Sequence, residues 1–306
     1  MEKTEIYLLS GFLGSGKTTL LKRLLEEERG MERKVAVMMN ELGKVSIDSN
    51  EVEEDISLKE LLGGCVCCSL QDELEAQLQE LFIAEKPEVI YIETTGAAHP
   101  VEVLDAVLSP LFADYITIKG IITTVDGLRW KDRLYLSPNI QQLLLEQVRY
   151  ANLILINKMD ELNDFEQAQA TYEIQSLNAH VRCLLTNYSK VPIDQVRKLS
   201  MSVDNYKEKP KNHNRVHLST FVYLFQSSIQ SVKFEEFLSN LPSTIYRIKG
   251  YIQFDQSEYP TLFQFSYGVP LYMKEEMKMP LNLVFIGEGI DWNIIEIQLK
   301  SLEINE

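Results

Sequence analysis

The chain has 306 residues, 45% hydrophobic and 25% charged, an ordinary soluble composition with enough apolar residues for one large or two medium cores. Its net charge of −15 and pI of about 4.9 disfavour attraction to nucleic acid or an anionic membrane, and no run of lysines and arginines offers a local exception. No apolar run approaches the ~18 residues of a membrane span, and the first residues form no apolar signal region, so the expected compartment is the reducing cytosol.

In chain order, Glu5 to Ser10 predicts a short buried strand, and Thr18 to Arg29 a helix with Leu20, Leu21, Leu24 and Leu25 on one face. Lys34 to Asn40 reads as a second buried strand. The polar, acidic stretch from Lys44 to Ile56 has no dominant period and reads as loop or a short hairpin. Ser57 to Leu62 leads into Gly63-Gly64-Cys65-Val66-Cys67-Cys68, after which a helix starts near Ser69 and is closed by Pro87. Strand (Glu88 to Thr95), helix (Val101 to Leu108), strand (Ile118 to Asp126), helix (Ile140 to Ala151) and strand (Leu153 to Lys158) follow. The series ends with helix (Glu166 to Leu177), strand (His180 to Thr186) and helix (Ile193 to Leu199).

This alternation predicts an α/β domain over residues 1–200, a mostly parallel sheet covered by helices on both faces, with ligands at the carboxyl ends of its strands. Residues 201–215 have linker composition. Residues 216–306 then change pattern to strand, helix, three or four strands and a last helix, a smaller α+β domain.

Gly11 to Thr18 fits G-x-x-x-x-G-K-[ST] between a predicted strand and a predicted helix, the context in which backbone N–H groups and a helix N-terminus cradle phosphates. Gly14, Ser15, Gly16, Lys17, Thr18 and Thr19 are the candidate contacts. Lys17 is expected to reach the β- and γ-phosphates and the Thr18 hydroxyl to ligate Mg²⁺. Glu93, ending its strand, takes the position of the acidic residue that holds Mg²⁺ through water, and the Gly96 N–H can sense a γ-phosphate. Asn157-Lys158-Met159-Asp160 follows another strand. A carboxylate such as Asp160 accepts from both the ring N1–H and the exocyclic amine of guanine, donors that adenine does not present together. Asn157 would brace the loop and the Lys158 stem would lie across the base, which favours GTP over ATP.

Three of the four cysteines stand within four residues, as Cys65-x-Cys67-Cys68. Glycines ahead of them let the backbone turn the sulfurs inward, and a following helix N-terminus lowers thiol pKa. Soft-metal binding, a redox pair and simple packing are the three readings. Thiolate chemistry favours metal, with Zn²⁺ first and Co²⁺ not sharply distinguished from it. A lone trio lacks the four ligands of a closed structural zinc site and suits an ion that is handed on. Cys183, inside a predicted strand, reads as core.

Taken together, GFLGSGKTT, NELG with Ser46-Ile47-Asp48, GGCVCCSL, IETTGAAHP and NKMD resemble the CobW-like, metal-associated P-loop GTPases, relatives of the GTPases that assist nickel insertion into urease and hydrogenase. The likeness extends to the C-terminal part through Tyr246-Arg247-Ile248-Lys249-Gly250 and Leu283-Val284-Phe285-Ile286-Gly287. It implies a GTP-hydrolysing metallochaperone that passes zinc to a client metalloprotein. It also implies that Cys65, Cys67 and Cys68 ligate the metal with Glu41 as fourth or auxiliary ligand, and that Asp48 helps position Mg²⁺ or the attacking water. Two departures stand out. Lys44 occupies a place that is often acidic in the family. Only four histidines are present, with His213 and His217 near the linker, which argues against bulk metal storage. His99, in the loop after Gly96, reads as a solvated histidine with metal contact as the alternative. Competing functions are a zinc-responsive regulatory GTPase, a cobalt chaperone in cobalamin synthesis, and a small-molecule or nucleotide kinase, the last disfavoured by NKMD.

Overall fold

The computed structural model describes residues 3–41, 57–62, 69–201 and 218–304. Contacts divide the chain into two units, Met1–Val107 with Ile116–Ser200, and Leu108–Tyr115 with Met201–Glu306.

The first unit is built on a seven-stranded, wholly parallel sheet in the order β3-β2-β4-β1-β5-β6-β7. Its strands are β1 (Thr4–Ser10), β2 (Val35–Glu41), β3 (Ser57–Leu62), β4 (Val89–Glu93), β5 (Ile116–Asp126), β6 (Leu153–Asn157) and β7 (Arg182–Leu185). The helices between them are α1 (Lys17–Arg29), α2 (Ser69–Ala84), α3 (Pro100–Val107), α4 (Gly127–Lys131), α5 (Pro138–Arg149), α6 (Asp164–Leu177) and α7 (Ile193–Arg197). Every residue of β4 and β6 is buried, as unbroken apolar runs require when helices cover both faces of a sheet. Alternation along β6 separates two cores. Leu153 and Leu155 join Tyr7, Leu9, Tyr91 and the α1 leucines, whereas Ile154 and Ile156 join Trp130, Leu144, Val148 and Ile174. Each fully buried leucine is worth about 1.5–3 kcal/mol over its exposed state, so the four-leucine face of α1 alone explains its docking.

Two elements differ from the sequence expectation. Ser57–Leu62 is an edge strand paired in parallel with β2, which its short, non-alternating run did not signal. The β5 strand also runs directly into the five-residue α4, whose N-terminus is capped by the Asp126 carboxylate accepting from Arg129 N at 3.0 Å.

The second unit is a five-stranded antiparallel sheet, β11-β10-β9-β12-β8, of β8 (Leu218–Leu224), β9 (Ile245–Ile252), β10 (Thr261–Ser266), β11 (Val269–Lys274) and β12 (Asn282–Glu288). It carries two helices, α8 (Ser231–Ser239) and α9 (Trp292–Leu302). An aromatic core of Phe221, Phe234, Phe263, Phe285 and Trp292 joins the layers, and Trp292 Nε1 donates to Ser219 Oγ at 3.0 Å. The 108–115 segment belongs here through the buried Asn282, whose Nδ2 donates to Pro110 O at 2.8 Å.

Candidate functional site

In a parallel sheet every strand delivers its carboxyl end to the same edge, and β1 lies between β4 and β5, where the strand order changes direction. Register brings Leu9 beside Glu93 and Asp126 beside Asn157. The loop after β1 therefore sits among the ends of β4, β5 and β6.

That loop is closely braced. Ser15 is fully buried, its hydroxyl 2.6 Å from Thr124 Oγ1, and its N–H donates to Phe12 O at 3.2 Å. Lys17 turns back over the loop, its Nζ donating to Gly11 O at 2.8 Å and Phe12 O at 3.3 Å. Burial lowers the Lys17 ammonium below its ordinary value, and the negative charge of Glu93 opposes that shift. A desolvated ammonium aimed at the centre of the loop suits an anion. Thr18 Oγ1 donates to Glu93 Oε1 at 2.8 Å. A hydroxyl and a carboxylate already in contact at the mouth of a phosphate loop are hard oxygen donors that fit Mg²⁺, so Thr18 and Glu93 are the residues that would hold it. When bound, the ion supplies charge neutralisation to the β- and γ-phosphate oxygens. Thr19 is exposed at the start of α1, and Gly14 takes a left-handed φ of 74° with open space around it.

Gly96 follows β4 and lies directly against the loop. A Cβ there would come within 2.4 Å of Leu13 N and 2.8 Å of its Cα. Sequence reading marked this glycine for its N–H, and the structure adds a packing reason for it. The segment is held from behind by Gln147 of α5, a buried amide whose Nε2 donates to Gly96 O at 3.2 Å. Gln147 was not anticipated, because a lone glutamine on a helix carries no signal. His99 is not a solvated loop histidine. Its Nδ1 accepts from Val101 N at 3.3 Å and its Nε2 lies 3.2 Å from Glu146 Oε2.

At the end of β6, buried Asn157 bridges two loops. Its Nδ2 donates to Ser15 O at 2.9 Å and its Oδ1 accepts from Ser189 N at 2.9 Å, while Ser189 Oγ donates to Gly16 O at 3.0 Å. Gly16 has φ 112°, and a Cβ on it would strike Asn157 Nδ2 at 2.4 Å, so glycine is obligatory there. Lys158 is left-handed (φ 60°) and its Nζ lies 2.5 Å from Asp126 Oδ2. Asp160 is exposed, and its N–H donates to Asn187 Oδ1 at 3.0 Å. The 187–190 loop thus belongs to the site, which sequence reading missed. Its Tyr188 and Ser189 both take left-handed φ (55° and 52°), a conformation that side chains resist, and Arg23 Nε holds the Tyr188 carbonyl at 2.8 Å. No sequence signal marks such a loop, since Asn-Tyr-Ser-Lys reads as a plain turn.

The expected metal residues Cys65, Cys67 and Cys68, the Glu41 side chain and Asp48 lie outside the described residues. Among the described residues no cluster of three or more histidine, cysteine or acidic side chains is placed to hold a metal. Burial pushes the Cys183 thiol up to about 11, which fits its reading as a core residue. No helix among the described residues is long and apolar enough to cross a membrane.

The family model described as CobW/HypB/UreG, nucleotide-binding domain, matches residues 5–184, and the cobalamin synthesis protein cobW C-terminal domain matches residues 218–303. The zinc-regulated GTPase metalloprotein activator 1 of Dictyostelium discoideum is 26% identical over 230 residues, 64% of this chain and 48% of that protein. The zinc chaperone YjiA of Escherichia coli is 34% identical over 174 residues, 55% of this chain and 53% of that one. The chain thus spans about half the length of these curated relatives. The crystal structure of Zn(II)-bound YjiA GTPase from E. coli shares the fold at a TM-score of 0.50 and 22% identity, covering 99% of this chain and 100% of that one. With its nucleotide-binding domain matched over more than half its length, the chain belongs to the CobW/HypB/UreG family.

Proposed function

We propose that this protein is a GTP-hydrolysing metallochaperone that binds zinc at Cys65, Cys67 and Cys68, with Glu41 as fourth or auxiliary ligand, and passes it to a client metalloprotein. The observation that carries the nucleotide half is the convergence of three parts at one sheet edge, Lys17 over its loop, the Thr18–Glu93 pair, and Asn157 tying NKMD to Ser15. A triphosphate in the cradle takes over the Lys17 hydrogen bonds now made to Gly11 O and Phe12 O, and Asp160 reads the guanine edge. The cysteine trio and the names of the zinc chaperone relatives support the metal half.

The Cys65 to Cys68 segment lies in the chain between the ends of β2 and β4, both at the nucleotide edge of the sheet. Drawing the Glu41 to Cys68 and Glu93 to Gly96 segments toward a γ-phosphate alters how the sulfurs converge on zinc. Hydrolysis reverses that change and releases the ion to the client. The nucleotide shifts zinc affinity only as far as it binds the two metal states unequally.

The test is zinc affinity measured with GDP and with a non-hydrolysable GTP analogue. Different affinities are expected, and equal ones refute the coupling. Lys17→Ala should abolish turnover and keep zinc binding, and the triple Cys→Ser variant should do the reverse. A basal GTPase rate that neither zinc nor any client accelerates would instead mark a zinc-responsive regulator.

A further inference from the structure

Lys158 is the residue whose stem is expected to cover the base, yet nothing in its backbone aims it. It sits in a left-handed turn after β6, outside helix or strand, and a lysine there has four free side-chain torsions and an ammonium that prefers water. What aims it is Asp126. The Lys158 Nζ lies 2.5 Å from Asp126 Oδ2. Asp126 is itself immobile, because it is buried, its Oδ1 accepts from Arg129 N at 3.0 Å, and strand register sets it beside Asn157. The short helix it caps is in turn seated on the phosphate loop, with the Arg129 guanidinium 4.9 Å from the centre of the Phe12 ring.

We propose that Asp126 is a positioning residue for the guanine nucleotide. It pins the Lys158 ammonium so that the aliphatic stem is presented as a fixed floor for the base. The inference rests on the guanine-nucleotide reading above and deepens it. Without the carboxylate the ammonium turns to solvent, and the stem must be re-ordered each time a nucleotide binds.

Asp126→Asn separates this role from a structural one. Asparagine caps helices as well as aspartate does, so the Arg129 N–H keeps its acceptor and only the ion pair is lost. The expected result is an unchanged melting temperature with an affinity loss of about tenfold, equal for GDP and GTP because the base and not the γ-phosphate is affected. The KM for GTP rises by the same factor, and kcat stays within about twofold. Lys158→Met alone should lose at least as much, and adding Asp126→Asn to it should cost nothing more, since the carboxylate acts only through that lysine. Asp126→Ser, a second uncharged cap, guards against a folding defect in the first variant and should match it. Binding by Asp126→Asn within about twofold of the parent, a loss confined to GTP, or an equal further loss on top of Lys158→Met would each overturn the proposal. A parent protein that fails to bind GDP would overturn the guanine-nucleotide reading itself, a distinct outcome.

Discussion

Asn157→Ala tests whether the base side of the site supports the phosphate loop mechanically. The wild-type amide satisfies two buried backbone groups, Ser15 O and Ser189 N, each at 2.9 Å. Truncation leaves both without a partner, and water has little access because Ser15 and Ser189 are fully buried. An orphaned buried polar group costs about 1–3 kcal/mol, so the pair costs about 2–6 kcal/mol. Even about 2 kcal/mol lowers the melting temperature of a unit this size by about 4–8 °C. The damage falls on the phosphate loop rather than on the base edge, so GDP and ADP should both bind more weakly while their ratio stays put. Thermal melts and fluorescent-nucleotide titrations measure the two effects. A variant that melts with the parent, or one that loses only the preference for guanine, would refute the bracing argument. Asn157→Asp refines it, because the retained Oδ1 still serves Ser189 while a carboxylate oxygen confronts Ser15 O. Its loss should be traced to the Ser15 contact.

Three further outcomes are expected. Gly96→Ala puts a Cβ 2.4 Å from Leu13 N, so one backbone must yield; overpacking of about 1–3 kcal/mol should lower the melting temperature of this unit by about 2–12 °C, and a variant that melts with the parent would contradict the close approach. Asp160→Asn exchanges an acceptor for an amide donor and should move preference from guanine to xanthine nucleotides, whose ring carries a carbonyl in place of the amine; competition binding of the two diphosphates decides it. Glu5→Gln addresses pH: burial pushes this carboxyl up, but Arg33 at 2.7 Å and Lys119 at 3.2 Å prevail and hold it below its usual 4.5. A depressed acid stabilises above its unfolded value and loses that contribution as pH falls through the folded one, so the variant should melt lower at pH 7 and approach the parent below about pH 4.5; a gap independent of pH would contradict it.

The parallel sheet was legible because its strands announce themselves. LILIN and VIYIE are buried on both faces and have no other reading, and the helices between them carry leucines at helical spacing. That Glu93 and Asn157 would stand at strand ends beside the loop after β1 was legible for a similar reason, since each closes an unmistakable apolar strand. What escaped was whatever acts through backbone or through partners remote in sequence. The edge strand β3 owes its existence to β2 rather than to its own pattern. Ser189 enters the site by its N–H and by a hydroxyl 173 positions from Gly16. Gln147 and Asp126 are ordinary residues whose roles appear only when α5 and β5 are set beside their neighbours.

The phosphate loop is where these separate contacts meet. Ser15 is held by Thr124 from β5 and by Asn157 from β6, Gly16 by Ser189 from the loop after β7, and the Leu13 backbone is abutted by Gly96 from the end of β4. Groups from the ends of β4 and β6 therefore bear on opposite ends of the same few peptide groups. A Cβ at Gly16 would push against Asn157 and Ser189 and one at Gly96 against the Leu13 backbone, so the two glycines guard different faces of one close-packed joint. Close-packed joints do not deform gradually. Gly96 is also held from its other side by Gln147, which grips its carbonyl from α5. Gln147 is thus a restraint on that segment, acting from the side opposite the phosphate loop.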